Sequence, residues 1–175
     1  MTPAVRKIAL TAHVTSSVGW VGAVAGFIAL AIAGVTSQDA QVARAAYLAM
    51  DVTTWSVIVP FCLASLLTGI VSSLGTEWGL FRHYWVLVKL LITIVATIAL
   101  LVHTRPISYL AGVAAETTFS GADLGTLRIQ LVVVSGAALV ALLVANVLSV
   151  YKPRGVTSYG WRKQQKQRLA LQRPL

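Results

Sequence analysis

Four long blocks of apolar residues constrain this chain more than any other feature of its sequence. A helix needs about 20 predominantly apolar residues to cross the hydrocarbon core of a bilayer. Only 11% of the residues are charged, against about 25% in a typical soluble domain. We therefore predict an all-α, four-helix up-and-down transmembrane bundle in residues 1–151, followed by a basic tail in residues 152–175. The predicted spans cover residues 8–35, 47–74, 84–103 and 129–151.

The positive charges that flank these blocks predict the orientation of the bundle. Half of the 14 Lys and Arg residues follow Tyr151. Short flanks rich in Lys and Arg stay in the cytoplasm, so we expect both termini on the cytoplasmic side of a bacterial cytoplasmic membrane. A basic run after a hydrophobic segment is typical of contact with anionic lipid headgroups, and we expect no nucleic-acid partner. The residues predicted to set topology and to contact lipid are Arg6, Lys7, Lys152, Arg154, Arg162 and Lys163.

The first block has a competing interpretation as a cleaved secretory signal. Arg6 and Lys7, an apolar run, and Ala31 and Ala33 before Gly34 fit that pattern. The apolar run is far longer than the roughly 7–15 residues of a signal peptide. We therefore expect the block to be retained as the first transmembrane helix.

Two different faces are predicted for the first helix. Gly19, Gly22 and Gly26 share one face, and Gly22 and Gly26 form a small-xxx-small pattern that lets backbones approach closely. These three glycines are predicted to pack against another helix. The opposite face carries His13, Ser16, Ser17, Trp20, Val24 and Phe27.

Polar residues recur at one depth near the predicted cytoplasmic end. His13 lies about 7–8 Å inside the first block, at about 1.5 Å per residue, and Lys89, Asn146 and Thr68 lie at similar levels in the other blocks. Ionisable residues inside a span are costly and usually face the protein interior. One interpretation is a ligand site for an anionic group, such as a lipid phosphate or a haem propionate, with His13 as a metal ligand. The other is that Lys89 snorkels to the headgroups while His13 bonds to a carbonyl or hydroxyl group.

A second polar layer is predicted at the opposite end of the bundle. We expect it to be an interfacial rim in which Asp51 and an arginine neutralise each other. Beyond the third span, residues 107–111 have the composition of a short interfacial helix. The layer consists of Asp51, His103, Arg128 and Gln130.

Several motifs resemble known membrane proteins. The H-x6-W-x-G pattern of His13, Trp20 and Gly22 resembles the first helix of copper-resistance-D-like proteins. Three segments are similar to a family of uncharacterised integral membrane proteins common in actinobacteria. That resemblance covers most of the chain, and it implies a four-helix bundle without an established activity. The segments are SLLTG (65–69), GTEWGLFRHYWVLVKL (75–90) and LSVYKPRG (148–155).

A more distant resemblance is to the membrane protoporphyrinogen oxidases, which are small haem-binding helical proteins. It rests on His13, Trp20, Trp85, Lys89 and His103, and it implies a site for haem b with His13 as its metal ligand. Together with the polar layer, it gives a set of candidate cofactor-binding residues. These are His13, Trp20, Trp85, Lys89 and Asn146.

Three functions remain open at the level of sequence. The first is a polytopic membrane protein of unknown biochemical role, acting as a structural or partner subunit, either as a homo-oligomer or with another membrane protein. The second is a haem-binding or redox protein that uses His13 with Lys89. The third is copper or small-solute transport, although Met50 is the only internal methionine and a thioether relay for Cu(I) is not evident. Common motifs of soluble enzymes are absent, and no catalytic residue is predicted.

Overall fold

Four long helices and a shorter fifth helix make up the described part of the fold. The computed structural model describes residues 2–75, 80–116, 124–153 and 155–171. Each of the first four helices is long and apolar enough to span a membrane, so the predicted four-helix transmembrane bundle is confirmed. The helices are α1 (Pro3–Thr36), α2 (Ala40–Leu74), α3 (Tyr84–Ala115), α4 (Gly125–Tyr151) and α5 (Ser158–Leu171).

The first four helices form a ring in chain order. α1 and α3 each contact both α2 and α4, so they lie on opposite sides of the bundle, as in other up-and-down bundles. We call the end formed by the start of α1, the end of α2, the start of α3 and the end of α4 the polar end. The opposite end is called the packed end.

The most deeply buried side chains lie toward the packed end. Tyr47 and Met50 of α2 and Leu110 of α3 are each 1% exposed. They belong to one apolar cluster with Trp20 and Phe27 of α1, which lie on the same face of that helix as His13. Burying such side chains in close contact is the main source of packing energy in a bundle.

Two helices extend beyond the predicted spans at the packed end. α3 continues from His103 through Pro106 to Ala115, so residues 107–111 belong to α3 and do not form a separate interfacial helix. α2 begins at Ala40, seven residues before the predicted span. The extensions are joined where Arg44 donates a hydrogen bond to the carbonyl oxygen of Ala115 at 2.6 Å.

The polar rim at the packed end differs from the prediction. The carboxylate of Asp51 accepts a hydrogen bond from the Ser108 hydroxyl at 2.6 Å, so its partner is a serine of α3 and not an arginine. Arg128 lies over the ring of Tyr47, with 5.2 Å between the guanidinium carbon and the ring centroid. In this cation–π contact the positive charge is attracted to the electron-rich face of the ring.

The glycines of α1 do not act as one packing face. Gly19 lies against Phe61 of α2, whose ring atoms would be 3.0 Å from an added Cβ. Around the same position at Gly22 and Gly26, no atom of a neighbouring helix in the described structure lies within 4 Å. The predicted close packing is therefore wrong for Gly22 and Gly26 within the described part of the bundle, because both point away from the neighbouring helices.

The C-terminal segment is attached to the start of α3. Thr157 is 7% exposed; its hydroxyl donates to the carbonyl oxygen of Phe81 at 2.5 Å and accepts from the backbone N–H of Gly160 at 3.1 Å. Its own N–H donates to the carbonyl oxygen of Arg82 at 2.9 Å. Thr157 thus caps α5 and fixes the first turn of that helix to the polar end.

The residues predicted to contact lipid are only partly described. Arg6, Lys7, Lys152 and Arg162 are exposed at or near the polar end. Arg154 lies outside the described residues, and Lys163 belongs to α5 with a side chain that is likewise outside them. Residues 76–79 of the family motif and residues 172–175 of the tail also lie outside the described part.

Candidate functional site

A cavity of about 750 Å³ lies between the four helices at the polar end. This volume falls within the range of roughly 300–1,000 Å³ found for small-molecule sites. Trp20 of α1 and Leu142 of α4 are buried where the cavity meets the core. All five candidate cofactor-binding residues line it, so the structure brings the predicted set together: His13, Trp20, Trp85, Lys89 and Asn146.

The hydrogen bonds of His13 determine which ring nitrogen carries a proton. Nδ1 lies 3.1 Å from the carbonyl oxygen of Ser65 and 3.3 Å from the hydroxyl oxygen of Thr68. The carbonyl can only accept, and Thr68 already donates its hydroxyl proton to the carbonyl oxygen of Ala64 at 2.5 Å. Nδ1 must therefore be the donor. In the neutral imidazole this leaves the lone pair on Nε2, which has no partner in the described part of the chain.

Small residues on α2 make room for the imidazole. A Cβ added to Gly69 would lie 3.0 Å from Cε1 of His13, so the ring rests directly against the backbone of α2. One turn earlier, the hydroxyl groups of Ser65 and Ser17 are 2.8 Å apart. Ser65 and Gly69 were not predicted as site residues. Their spacing of four residues, on the helix that faces His13, is the small-xxx-small signal that identifies such a contact.

Lys89 is held inside the cavity by an aromatic ring. Its ammonium nitrogen lies 5.6 Å from the ring centroid of Trp85, one turn earlier on α3. This distance is typical of a cation–π contact, which is stronger where the cation is partly desolvated. Both residues line the cavity, so the ammonium group faces a space that a ligand can enter.

The cavity has a strongly positive lining. Arg6 and Lys7 at the start of α1 and Lys152 at the end of α4 line its mouth, and Lys89 lies deeper. None of the described residues that line it is Asp or Glu. Like charges in one partly desolvated space repel each other. An anion in the cavity would relieve that repulsion.

Neutral polar groups complete the wall. The hydroxyl oxygen of Ser72 is buried and has no hydrogen-bond partner among the described residues. Asn146 donates from Nδ2 to the carbonyl oxygen of Leu142 at 2.9 Å, and Ser149 donates to that of Ala145 at 2.9 Å. The buried Ser72 hydroxyl therefore lacks, within the described residues, a bond that buried polar groups almost always make.

The remaining histidine that the haem-protein resemblance implied lies elsewhere. His103 is 14 residues beyond Lys89, or about 21 Å along α3, and it does not line the cavity. Its Nδ1 lies 2.7 Å from the carbonyl oxygen of Ala99 in the same helix. Within the described ranges, no three His, Cys, Asp or Glu residues are grouped so that they could hold a metal ion.

Comparison with known proteins adds no relative. No protein-family model matches the chain, and no curated protein and no solved structure is detectably similar to it. The family resemblances drawn from the sequence therefore stay predictions. The fold and the cavity define the class directly: a multi-pass four-helix membrane protein with a basic cavity at one end of its bundle.

Proposed function

We propose that this protein binds the anionic head group of an amphiphile in the cavity at the polar end. The observation that carries the proposal is Lys89, held over Trp85 inside a cavity whose described lining contains three more cations and no acidic residue. The uncharged polar groups that line the cavity are hydroxyl, amide and imidazole groups, which can form hydrogen bonds with phosphate or carboxylate oxygens. The walls are otherwise apolar, which suits an amphiphile better than a fully hydrated ion.

The energetic argument rests on the position of Lys89. A cation in a membrane span usually pairs with an anion or reaches the interface. Lys89 is half-buried and its ammonium group contacts an aromatic ring. A negative group beside it would add an ion pair to this cation–π contact. A hydrogen bond to a charged group contributes about 1.5–3 kcal/mol, which corresponds to roughly a 10- to 100-fold change in affinity.

The proposal includes an orientation in a bacterial cytoplasmic membrane. The cations that surround the cavity mouth, Arg6, Lys7 and Lys152, are those expected to stay in the cytoplasm. The polar end then faces the cytoplasmic leaflet, where anionic lipid is a partner. A fluorescent protein fused after the last residue should fold and fluoresce, whereas alkaline phosphatase fused at the same place should be inactive; the reverse pattern would contradict this orientation.

Lipid binding can be measured directly on the purified protein. Native mass spectrometry from a neutral detergent should show dioleoyl phosphatidylglycerol retained in preference to dioleoyl phosphatidylcholine. Lys89→Gln should weaken phosphatidylglycerol binding about tenfold or more. The matched control is Arg105→Gln, because Arg105 is an exposed cation of α3 near the packed end and does not line the cavity; its effect should stay within about twofold. Equal retention of the two lipids, or equal effects of the two substitutions, would contradict the proposal.

The hydrogen bonds of His13 favour one second candidate, a haem-binding or redox protein. Metal-ligating histidines usually donate their other ring N–H to a carbonyl or carboxylate group, and His13 has that arrangement with Ser65. The lone pair of Nε2 would be available to bind the haem iron. Lys89 and the cations at the mouth would pair with the propionates, and Trp20 and Trp85 would contact the macrocycle. Haem would supply electron-transfer chemistry in this site.

A spectrum separates this candidate from lipid binding. If haem binds, protein purified in mild detergent and incubated with hemin should develop a Soret band, and His13→Ala should abolish it. His103→Ala is the control, because His103 also bonds to a carbonyl through Nδ1 but lies outside the cavity. A Soret band that survives His13→Ala, or no band after hemin addition, would exclude His13 as a haem ligand.

A further inference from the structure

The residues that line the cavity are more exposed on α1 and α4 than on α2 and α3. On α1, Leu10, Val14 and Val18 are 55%, 52% and 61% exposed, and on α4 Val150 is 77% exposed, although all four line the cavity. Every described lining residue of α2 and α3 is buried or half-buried. The cavity is therefore closed on the α2 and α3 sides and open at the side where α1 and α4 meet.

The opening lies at the depth of the lipid chains. Leu10, Val14 and Val18 form a stripe about 12 Å long on α1, within an apolar block long enough to cross the hydrocarbon core. The exposed side chains that border the opening on both helices are apolar. Acyl chains are the natural occupants of such a gap, because water there would face apolar side chains and gain few hydrogen bonds.

The cations at the cavity mouth lie nearer the polar end of the bundle than this apolar stripe does. Arg6 and Lys7 precede Leu10 on α1, and Lys152 follows Val150. One path thus runs from a cationic mouth to an apolar side opening, with Lys89 inside. A lipid with an anionic head group has its charge and its chains separated in the same way.

We infer that the ligand enters the cavity sideways from the bilayer, between α1 and α4, and is a membrane lipid with an anionic head group. The head group lies among Lys89 and the cations at the mouth, and the chains leave past Val14 and Val18. This inference rests on the proposed function, since it names the source of the anion. A water-soluble anion would need only the mouth.

The inference is tested by measuring the affinities of two ligands for the wild-type protein and for two variants with a narrowed side opening. The lipid arm uses dioleoyl phosphatidylglycerol and the soluble arm uses glycerol 1-phosphate, which carries the same phosphate chemistry without chains. Val14→Trp and Val18→Trp narrow the side opening; Leu91→Trp is the control, because Leu91 is an exposed apolar residue of α3 that does not line the cavity. Circular dichroism shows whether each variant is folded, and Leu10→Trp, nearer the mouth, replaces any variant that is not.

The expected result is at least a tenfold preference for the lipid over glycerol 1-phosphate. Lipid affinity should fall about tenfold in the Val14 and Val18 variants and remain within about twofold of wild type in the Leu91 variant. Equal affinity for the two ligands, or unchanged lipid binding after Val14→Trp and Val18→Trp, would overturn the inference while leaving the proposed function intact. If the wild-type protein binds neither ligand, the proposed function fails as well.

Discussion

The two ends of the bundle differ in what fills the space between the helices. At the packed end, Tyr47, Met50 and Leu110 fill it almost completely, and each is 1% exposed. At the polar end, His13 and Lys89 face a cavity of about 750 Å³. Close packing of apolar side chains stabilises a fold. Side chains that line a cavity lack contacts on one side and therefore stabilise the fold less. We conclude that the packed end holds the bundle together and that the polar end is available for binding.

The largest expected effect compares the same substitution at the two ends of α3. Leu110→Ala removes a side chain that is 1% exposed and should reduce the free energy of unfolding by about 2–5 kcal/mol. Leu90→Ala removes a half-buried side chain that already faces the cavity, so it should cost less than about 1.5 kcal/mol. Denaturant titration in mixed micelles measures both values, and equal losses would remove the distinction between the ends.

Two glycines provide the next comparison. A Cβ on Gly34 would lie 2.7 Å from Cζ of Tyr47, and this ring is enclosed, so Gly34→Ala should cost about 1–3 kcal/mol. At Gly69 the nearest atom is Cε1 of His13 at 3.0 Å, and the imidazole has free space beside it. Gly69→Ala should therefore change stability less but weaken phosphatidylglycerol binding. A Gly69→Ala protein that unfolds as easily as Gly34→Ala while binding lipid normally would contradict this account.

The attachment of α5 gives a smaller, local effect. Thr157→Val removes the hydroxyl that caps α5 and bonds to the carbonyl oxygen of Phe81, which should cost about 1–2 kcal/mol of local stability. Amide hydrogen exchange should become faster around Gly160 and remain unchanged at the packed end. The control is Ser158→Ala at an exposed position; if it accelerates exchange as much as Thr157→Val, the cap is not what holds the segment.

The smallest effect concerns the glycines of α1. Gly22→Ala and Gly26→Ala place a methyl group in open space and should each raise helix stability by up to about 1 kcal/mol. Gly19→Ala should lower stability, because the added atom would meet the Phe61 ring at 3.0 Å. The same denaturant titration measures all three. A loss of stability for Gly22→Ala would show that another chain covers this face.

The sequence predicted the features that depend on hydropathy and helical repeat. The lengths of the apolar blocks predict the transmembrane spans. His13 and Lys89 lie at similar depths in their blocks, and in the structure both line one cavity. The extension of α3 through Pro106 was missed, because the pattern alone does not show that a proline is accommodated within a continuous helix.

Long-range partners were the other features that the sequence did not predict. Asp51 bonds to Ser108, and nothing local to either residue distinguishes a serine from an arginine as the partner. The backbone N–H of Thr157 donates to the carbonyl oxygen of Arg82, 75 residues earlier, and both are backbone groups that nearly every residue carries. The Gly22 and Gly26 pattern predicts close approach but does not identify which helix approaches.

The most direct test of the central claim is the thermal stability of wild-type protein and Lys89→Gln, each measured with and without phosphatidylglycerol in neutral micelles. Ligand binding to the folded state raises the melting temperature. We expect phosphatidylglycerol to stabilise the wild-type protein and to have little effect on Lys89→Gln, while the two proteins differ little without lipid. An equal rise in both proteins, or no rise in either, would contradict the assignment of the polar end as an anion-binding site.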